Sequence, residues 1–174
     1  MATIAYCIFA TATPIEAASA EQINIEVDAV LDDFIKEIKG GKRFLQRAQG
    51  VLVFPSVIKA GFFLGGEYGE GALRINNKTV EYYNTAGASV GLQMGAQSKS
   101  IVLVFLKKQA LKNFRNSDGW EAGVDGSVAL VKWGVGEDLS TTDIQEPIAG
   151  FVFNNQGLMF NLTLEGAKFT KIVR

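Results

Sequence analysis

Ala72-Leu73-Arg74-Ile75-Asn76-Asn77-Lys78-Thr79-Val80-Glu81-Tyr82-Tyr83 shows the character of the whole fold. Ala72 to Ile75 and Thr79 to Tyr83 are strand-like runs, and Asn76-Asn77 between them is a hairpin-turn signal. The same grammar extends to both sides. Upstream, Val51-Leu52-Val53-Phe54 is a short apolar run expected to stop at Pro55, and Ala60 to Leu64 follows it. Downstream come Ala86 to Ala96, with glycines at 87, 91 and 95, and the wholly apolar Ile101 to Leu106. Val124 to Val135 is apolar on both faces, the pattern of a central strand covered on both sides. Ile148 to Phe153 and Leu158 to Leu164 flank the turn Asn154-Asn155-Gln156-Gly157, and Lys168 to Val173 is expected to be the last strand.

Two stretches depart from this strand pattern. Residues 21 to 39 place Ile23, Val27, Val30, Leu31, Phe34 and Ile38 at steps of three and four, which predicts an amphipathic helix ended by Gly40-Gly41. Its acids come early and Lys36 and Lys39 late, as the helix dipole favours. A second short helix is expected from about Lys42 to Gln49, and helical spacing returns at Lys107 to Phe114. Glycine makes up 19 of 174 residues, about 11% against about 7% in average chains. Much of it falls inside strands, where it weakens the sheet unless curvature, a bulge or a close backbone approach requires it. The fold expected is therefore α+β: a mostly antiparallel, strongly curled or barrel-like sheet, an N-terminal amphipathic helix pair, and a short helix near 107–114.

Composition narrows the chemistry. The 174 residues suit one domain, expected over 21–174, and 48% apolar content is enough for a core. Seventeen basic against 18 acidic residues leave a net charge of −1, so there is no broad basic field for nucleic acid. The chain contains no histidine, which excludes Ser-His-Asp hydrolysis and ordinary zinc sites. Its one cysteine, Cys7, allows no intramolecular disulfide. No cofactor is implied, and an enzyme built from this composition would depend on carboxylates, Lys or Tyr.

The first 20 residues read as a signal peptide or a disordered arm. Ile4 to Ala12 is a short apolar run, and Ala18-Ser19-Ala20 fits the small-x-small cleavage pattern. No Lys or Arg precedes Glu16, which departs from the usual basic start and leaves open an initiator further upstream. Cleavage after Ala20 would remove Cys7, suiting an oxidising periplasmic or secreted location. No apolar segment in the remaining chain reaches the length of a membrane span.

Most local motifs have ordinary structural explanations. Gly65-Gly66-Glu67-Tyr68-Gly69-Glu70-Gly71 lacks the Lys-Ser/Thr of a phosphate loop and reads as a glycine-rich turn, as does Gly119 to Gly126. The acid pairs Glu67 and Glu70, Asp118 and Glu121, and Glu137 and Asp138 lack calcium-loop spacing. Asn77-Lys78-Thr79 and Asn161-Leu162-Thr163 match the glycosylation sequon, a short and unselective pattern. Trp120, Trp133, Tyr82 and Tyr83 read as core or cross-strand aromatics.

The basic segment stands out from these. Lys36, Lys39, Lys42, Arg43 and Arg47 face one acid, Glu37, between positions 36 and 47. Beside them lie Phe34, Ile38, Phe44 and Leu45. This mixture suits a helix lying on an anionic membrane, with cations on head groups and Phe34 and Phe44 inserted. The alternative is a solvated helix end whose apolar face packs on the sheet.

Five blocks together resemble the SYLF domain family. They are Ala48-Gln49-Gly50-Val51-Leu52-Val53-Phe54-Pro55; Lys59-Ala60-Gly61-Phe62-Phe63-Leu64-Gly65-Gly66 with Gly69-Glu70-Gly71; and Tyr83-Asn84 before Gly87-Ala88-Ser89-Val90-Gly91-Leu92-Gln93-Met94-Gly95-Ala96-Gln97. Gly123-Val124-Asp125-Gly126-Ser127-Val128-Ala129, and Gly157-Leu158-Met159-Phe160-Asn161 with Leu164-Glu165-Gly166-Ala167, complete the set, so the resemblance runs from about 22 to 170. It implies binding without catalysis. Members are associated with phosphoinositides and membranes, and those of yeast actin patches with actin filaments. Lipid contact in the family is attributed to the N-terminal amphipathic helix, here residues 22–39 and the basic stretch after it. The chain lacks the SH3 and FYVE partner domains of eukaryotic members, and an exported protein would not meet cytosolic actin. The expected function is therefore peripheral docking on anionic lipids of the cell envelope. A protein-interaction module of the actin-binding type is the alternative, and a carboxylate enzyme is a third reading.

Overall fold

The computed structural model describes residues 18–61, 64–90, 97–131, 144–154, 157–158 and 164–174. Its helices are α1 (Ala20–Glu37), α2 (Gly41–Arg47) and α3 (Lys108–Asn116). Its strands are β1 (Gly50–Gly61), β2 (Leu64–Ile75), β3 (Lys78–Val90), β4 (Gln97–Phe105), β5 (Trp120–Glu121), β6 (Val128–Leu130), β7 (Ile148–Asn154), β8 (Gly157–Leu158) and β9 (Lys168–Ile172). Eight strands follow the order β5-β9-β3-β2-β1-β4-β7-β6, and β8 pairs with β7. Among the described strands, only the β6–β7 pairing is parallel. The sheet is curled into a half-barrel, as the glycine content suggests.

The hairpin forms where the sequence places it. Asn76 and Asn77 adopt φ of 51° and 62°, the left-handed backbone that a tight hairpin needs and that asparagine tolerates best after glycine. Strand alternation then sends side chains to two opposite cores. Leu52, Phe54, Leu73, Tyr83, Leu103 and Phe105 pack with Leu111 and Phe114 of α3. Val51, Val53, Ala72, Val102, Val104 and Phe151 pack with Ile23, Val27 and Phe34 of α1 and Phe44 of α2. The central strands β1, β4 and β7 are therefore buried on both faces, which explains their unbroken apolar runs.

Three expectations are corrected. Pro55 does not stop β1, because the register against both neighbours shifts between Val53 and Val57 and the bulge accommodates the missing N–H. The glycine run 65–71 is not a turn but lies within β2. There the bulged β1 backbone presses on it: a Cβ at Gly69 would lie 2.6 Å from the Ser56 carbonyl oxygen, and one at Gly71 would run into that of Val53. Val124 to Val135 does not form a central strand. Gly123 at φ 86° and the bond from the Glu121 backbone N–H to Asp125 Oδ2 (2.7 Å) close a turn instead. Val124 is 73% exposed. What remains is β6 at the sheet edge, with Val131 buried beyond it; residues 132–135 lie outside the described residues.

Candidate anion-binding surfaces

α1 begins with a side-chain cap, the Ser19 hydroxyl accepting from the Gln22 N–H at 3.1 Å. Polar contacts then fasten it to the hairpin. Arg74 donates through Nη2 to Asp28 Oδ1 (2.7 Å) and the Asn24 carbonyl (3.2 Å), Thr79 donates to Asn24 Oδ1 (2.6 Å), and Asn24 donates to the Tyr82 hydroxyl (2.9 Å). The buried Nε of Arg74 has no partner among the described residues.

The five expected cations lie on one exposed run, Lys36 in the last turn of α1, Lys39 in the connection, and Lys42, Arg43 and Arg47 on α2. Lys36 pairs with Asp33 at 3.2 Å, both well exposed, a contact of little energetic weight. Lys42, Arg43 and Arg47 make no ion pair among the described residues. With Asp32, Asp33 and Glu37 nearby, five cations face three carboxylates over 32–47, a local balance of +2.

The two expected aromatics do not share that surface. Phe34 and Phe44 are 0% and 1% exposed. Their rings meet Phe151 edge-on at centroid distances of 4.8 and 5.8 Å, and Phe34 also meets Phe153 at 6.0 Å. They are core residues, corrected from inserting ones, because the apolar stripe of α1–α2 finds its partner in β7. Ile35, at 39%, is the exposed large apolar side chain nearest the cations in sequence.

A second cationic surface lies across the sheet, between α3 and strands β3 and β9, and was not singled out from the sequence. Glu81 of β3 accepts from Arg115 Nε (3.0 Å) and Nη2 (2.9 Å), from Lys171 Nζ (2.7 Å) and from the Tyr83 hydroxyl (2.8 Å). Burial alone would raise the Glu81 carboxyl, but hydrogen bonds from Arg115, Lys171 and Tyr83 outweigh it and hold its pKa at about 2. Burial, then the hydrogen bond to Glu81, pushes the Tyr83 phenol up. Around this knot is a cleft of about 330 Å³ lined by Glu81, Lys108, Leu111, Lys112, Arg115, Asn116 and Lys171. The spacing of Lys108, Lys112 and Arg115 was legible as one helix face. Glu81 and Lys171 join it only through the β3–β9 pairing.

Of the three acid pairs, Glu67 and Glu70 are held in structural contacts. Glu67 pairs with Lys99 at 2.7 Å, and Glu70 accepts from Tyr68 (2.8 Å) and from Arg174. Glu137, Asp138, Trp133 and the 161–163 sequon lie outside the described residues. Among the described residues, no group of three His, Cys, Asp or Glu side chains converges as a metal site, and no helix is long and apolar enough to cross a membrane.

The family model described as Ysc84, Las17-binding protein actin regulator, matches residues 86–172. The chain belongs to the Ysc84 (SYLF) family. The matched segment starts within β3 and ends with β9, so it includes α3 and Lys171 and follows the α1–α2 segment. No curated protein matches the chain. The Ysc84 family is one of binding domains.

Proposed function

We propose that this protein is a non-enzymatic binding domain that docks on anionic membranes, phosphoinositide-like or bacterial, through Lys36, Lys39, Lys42, Arg43 and Arg47. The observation that supports this reading is the division of the α1–α2 pair: cations outward, Phe34 and Phe44 locked in the core. Docking of this kind is electrostatic, without aromatic insertion. Each cation near such a surface contributes about 1 kcal/mol. The nearby carboxylates offset part of this, so binding is weak at physiological salt, where the Debye length is about 8 Å. With the N-terminal segment read as an export signal, the surface met is a membrane of the cell envelope reached from the periplasm or the exterior. The test replaces all five cations by Gln: sedimentation with anionic vesicles should be lost while the folded state is kept, and unchanged sedimentation would refute the surface.

The family description favours a second reading, a module that binds a protein partner of the actin system. It predicts cosedimentation with actin filaments that is indifferent to lipid charge.

A further inference from the structure

The α3 cleft has more positive charge than its fold requires. Four cations, Lys108, Lys112, Arg115 and Lys171, surround the single carboxylate of Glu81. Arg115 and Lys171 are held by that carboxylate, whereas Lys108 and Lys112 are exposed and make no ion pair among the described residues. Like charges at i, i+4 on a helix repel one another, so the arrangement costs stability with no compensating contact within the described residues.

We propose that this cleft binds an extended acidic segment of a protein partner, with carboxylates seated on Lys108 and Lys112 beside the one already held by Arg115. The chemistry of the donors favours carboxylates in a row over one compact phosphate. A phosphate site relies on convergent donors, above all a guanidinium with uncompensated charge, and the one guanidinium lining this cleft is already neutralised by Glu81, which takes its Nε–Nη2 edge. The cations left are lysine point charges arranged along the helix. At 1.5 Å per residue, Lys108 and Lys112 stand about 6 Å apart along the axis. Alternate side chains of an extended chain repeat at about 6.6–6.8 Å. A segment with acids at every second residue therefore presents one carboxylate per lysine. Leu111 and the side-chain amide of Asn116 also line the cleft, offering an apolar contact and a hydrogen-bond partner for the segment's backbone.

The cleft lies on the face of the sheet opposite α1 and α2. A protein docked on a membrane through α1–α2 would present this cleft away from the bilayer. The proposal does not depend on that docking.

The test is fluorescence anisotropy of the full chain with a labelled hexaglutamate peptide, and separately with inositol hexakisphosphate and anionic vesicles. Lys108→Glu/Lys112→Glu should weaken the peptide about tenfold or more at low ionic strength, since each exposed charge contact contributes up to about 1 kcal/mol and reversal replaces attraction by repulsion. The five-Gln variant of the α1–α2 cations should bind the peptide as the wild type does. Both variants change exposed side chains, and circular dichroism checks that they fold. No peptide binding by the wild type overturns the proposal, as does equal affinity in the Lys108/Lys112 variant. Loss of inositol hexakisphosphate or vesicle binding in that variant, with the peptide unbound throughout, assigns the cleft to phosphate instead and also overturns it.

Discussion

Replacing Phe34 by Ala separates a core residue from a membrane anchor. The ring is fully buried and meets Phe151 at 4.8 Å and 90° and Phe153 at 6.0 Å and 76°. A Cβ on Gly41 would lie 3.2 Å from the same ring, so α2 closes over it as well. Phe→Ala at such a site costs about 3–5 kcal/mol from lost transfer energy and the cavity left behind, and the two edge-on ring contacts favour the upper half of that range. For a chain of this length, each kcal/mol lowers Tm by about 2–4 °C, giving a fall of about 6–20 °C. Thermal unfolding followed by circular dichroism reads this directly. Vesicle affinity, measured well below the transition, should be unchanged, because the cations remain outside. A Phe34→Ala protein with unaltered Tm and lost vesicle binding would refute the placement and restore the ring as an inserting group.

Three further outcomes are expected. Glu81 titrates from the ordinary 4.5 down to about 2 in the folded protein, so its contribution is complete above the unfolded pKa and is lost as pH falls through the folded one; linkage sets a ceiling of about 3 kcal/mol, and solvent screening at this partly open site reduces it to about 1–2. Glu81→Gln should thus be less stable than wild type at pH 7 and converge with it in urea melts near pH 2; a constant difference across that range would contradict the pairing. Gly71→Ala should fold poorly or lose several degrees of Tm, because its Cβ meets the Val53 carbonyl, whereas Gly66→Ala, with no contact closer than 4.0 Å, should melt near wild type; equal melting of the two would contradict the bulge. Chains starting at 18 and at 21 should differ by about 0.5–2 kcal/mol, because the shorter one lacks the Ser19 cap of α1; equal stability would show the cap to be dispensable.

The legibility of this fold followed local chemistry. Asn76-Asn77 announced its turn because a left-handed pair is one of the few backbone states that short sequence specifies. α1 and α3 were legible from their 3.6-residue period. Pro55 misled because a strand can bulge around a proline, and the bulge is visible only once Gly69 and Gly71 are seen beneath it. Val124 misled because the turn bond to Asp125 outweighed apolar periodicity. At the candidate site, the five cations were legible as exposed charge. The fate of Phe34 and Phe44 was not, since an amphipathic stripe looks the same whether a sheet or a bilayer covers it. The cleft was further from reach: Glu81 and Lys171 are 90 residues apart, and only strand pairing brings them together.

Cosedimentation of the full chain with phosphatidylglycerol, cardiolipin, phosphoinositide and neutral vesicles, across a series of salt concentrations, tests the docking reading most directly. Binding to anionic vesicles at low salt that fades as salt rises, with little binding to neutral ones, is the predicted result. Binding indifferent to lipid charge and salt, or none at low salt, would contradict it.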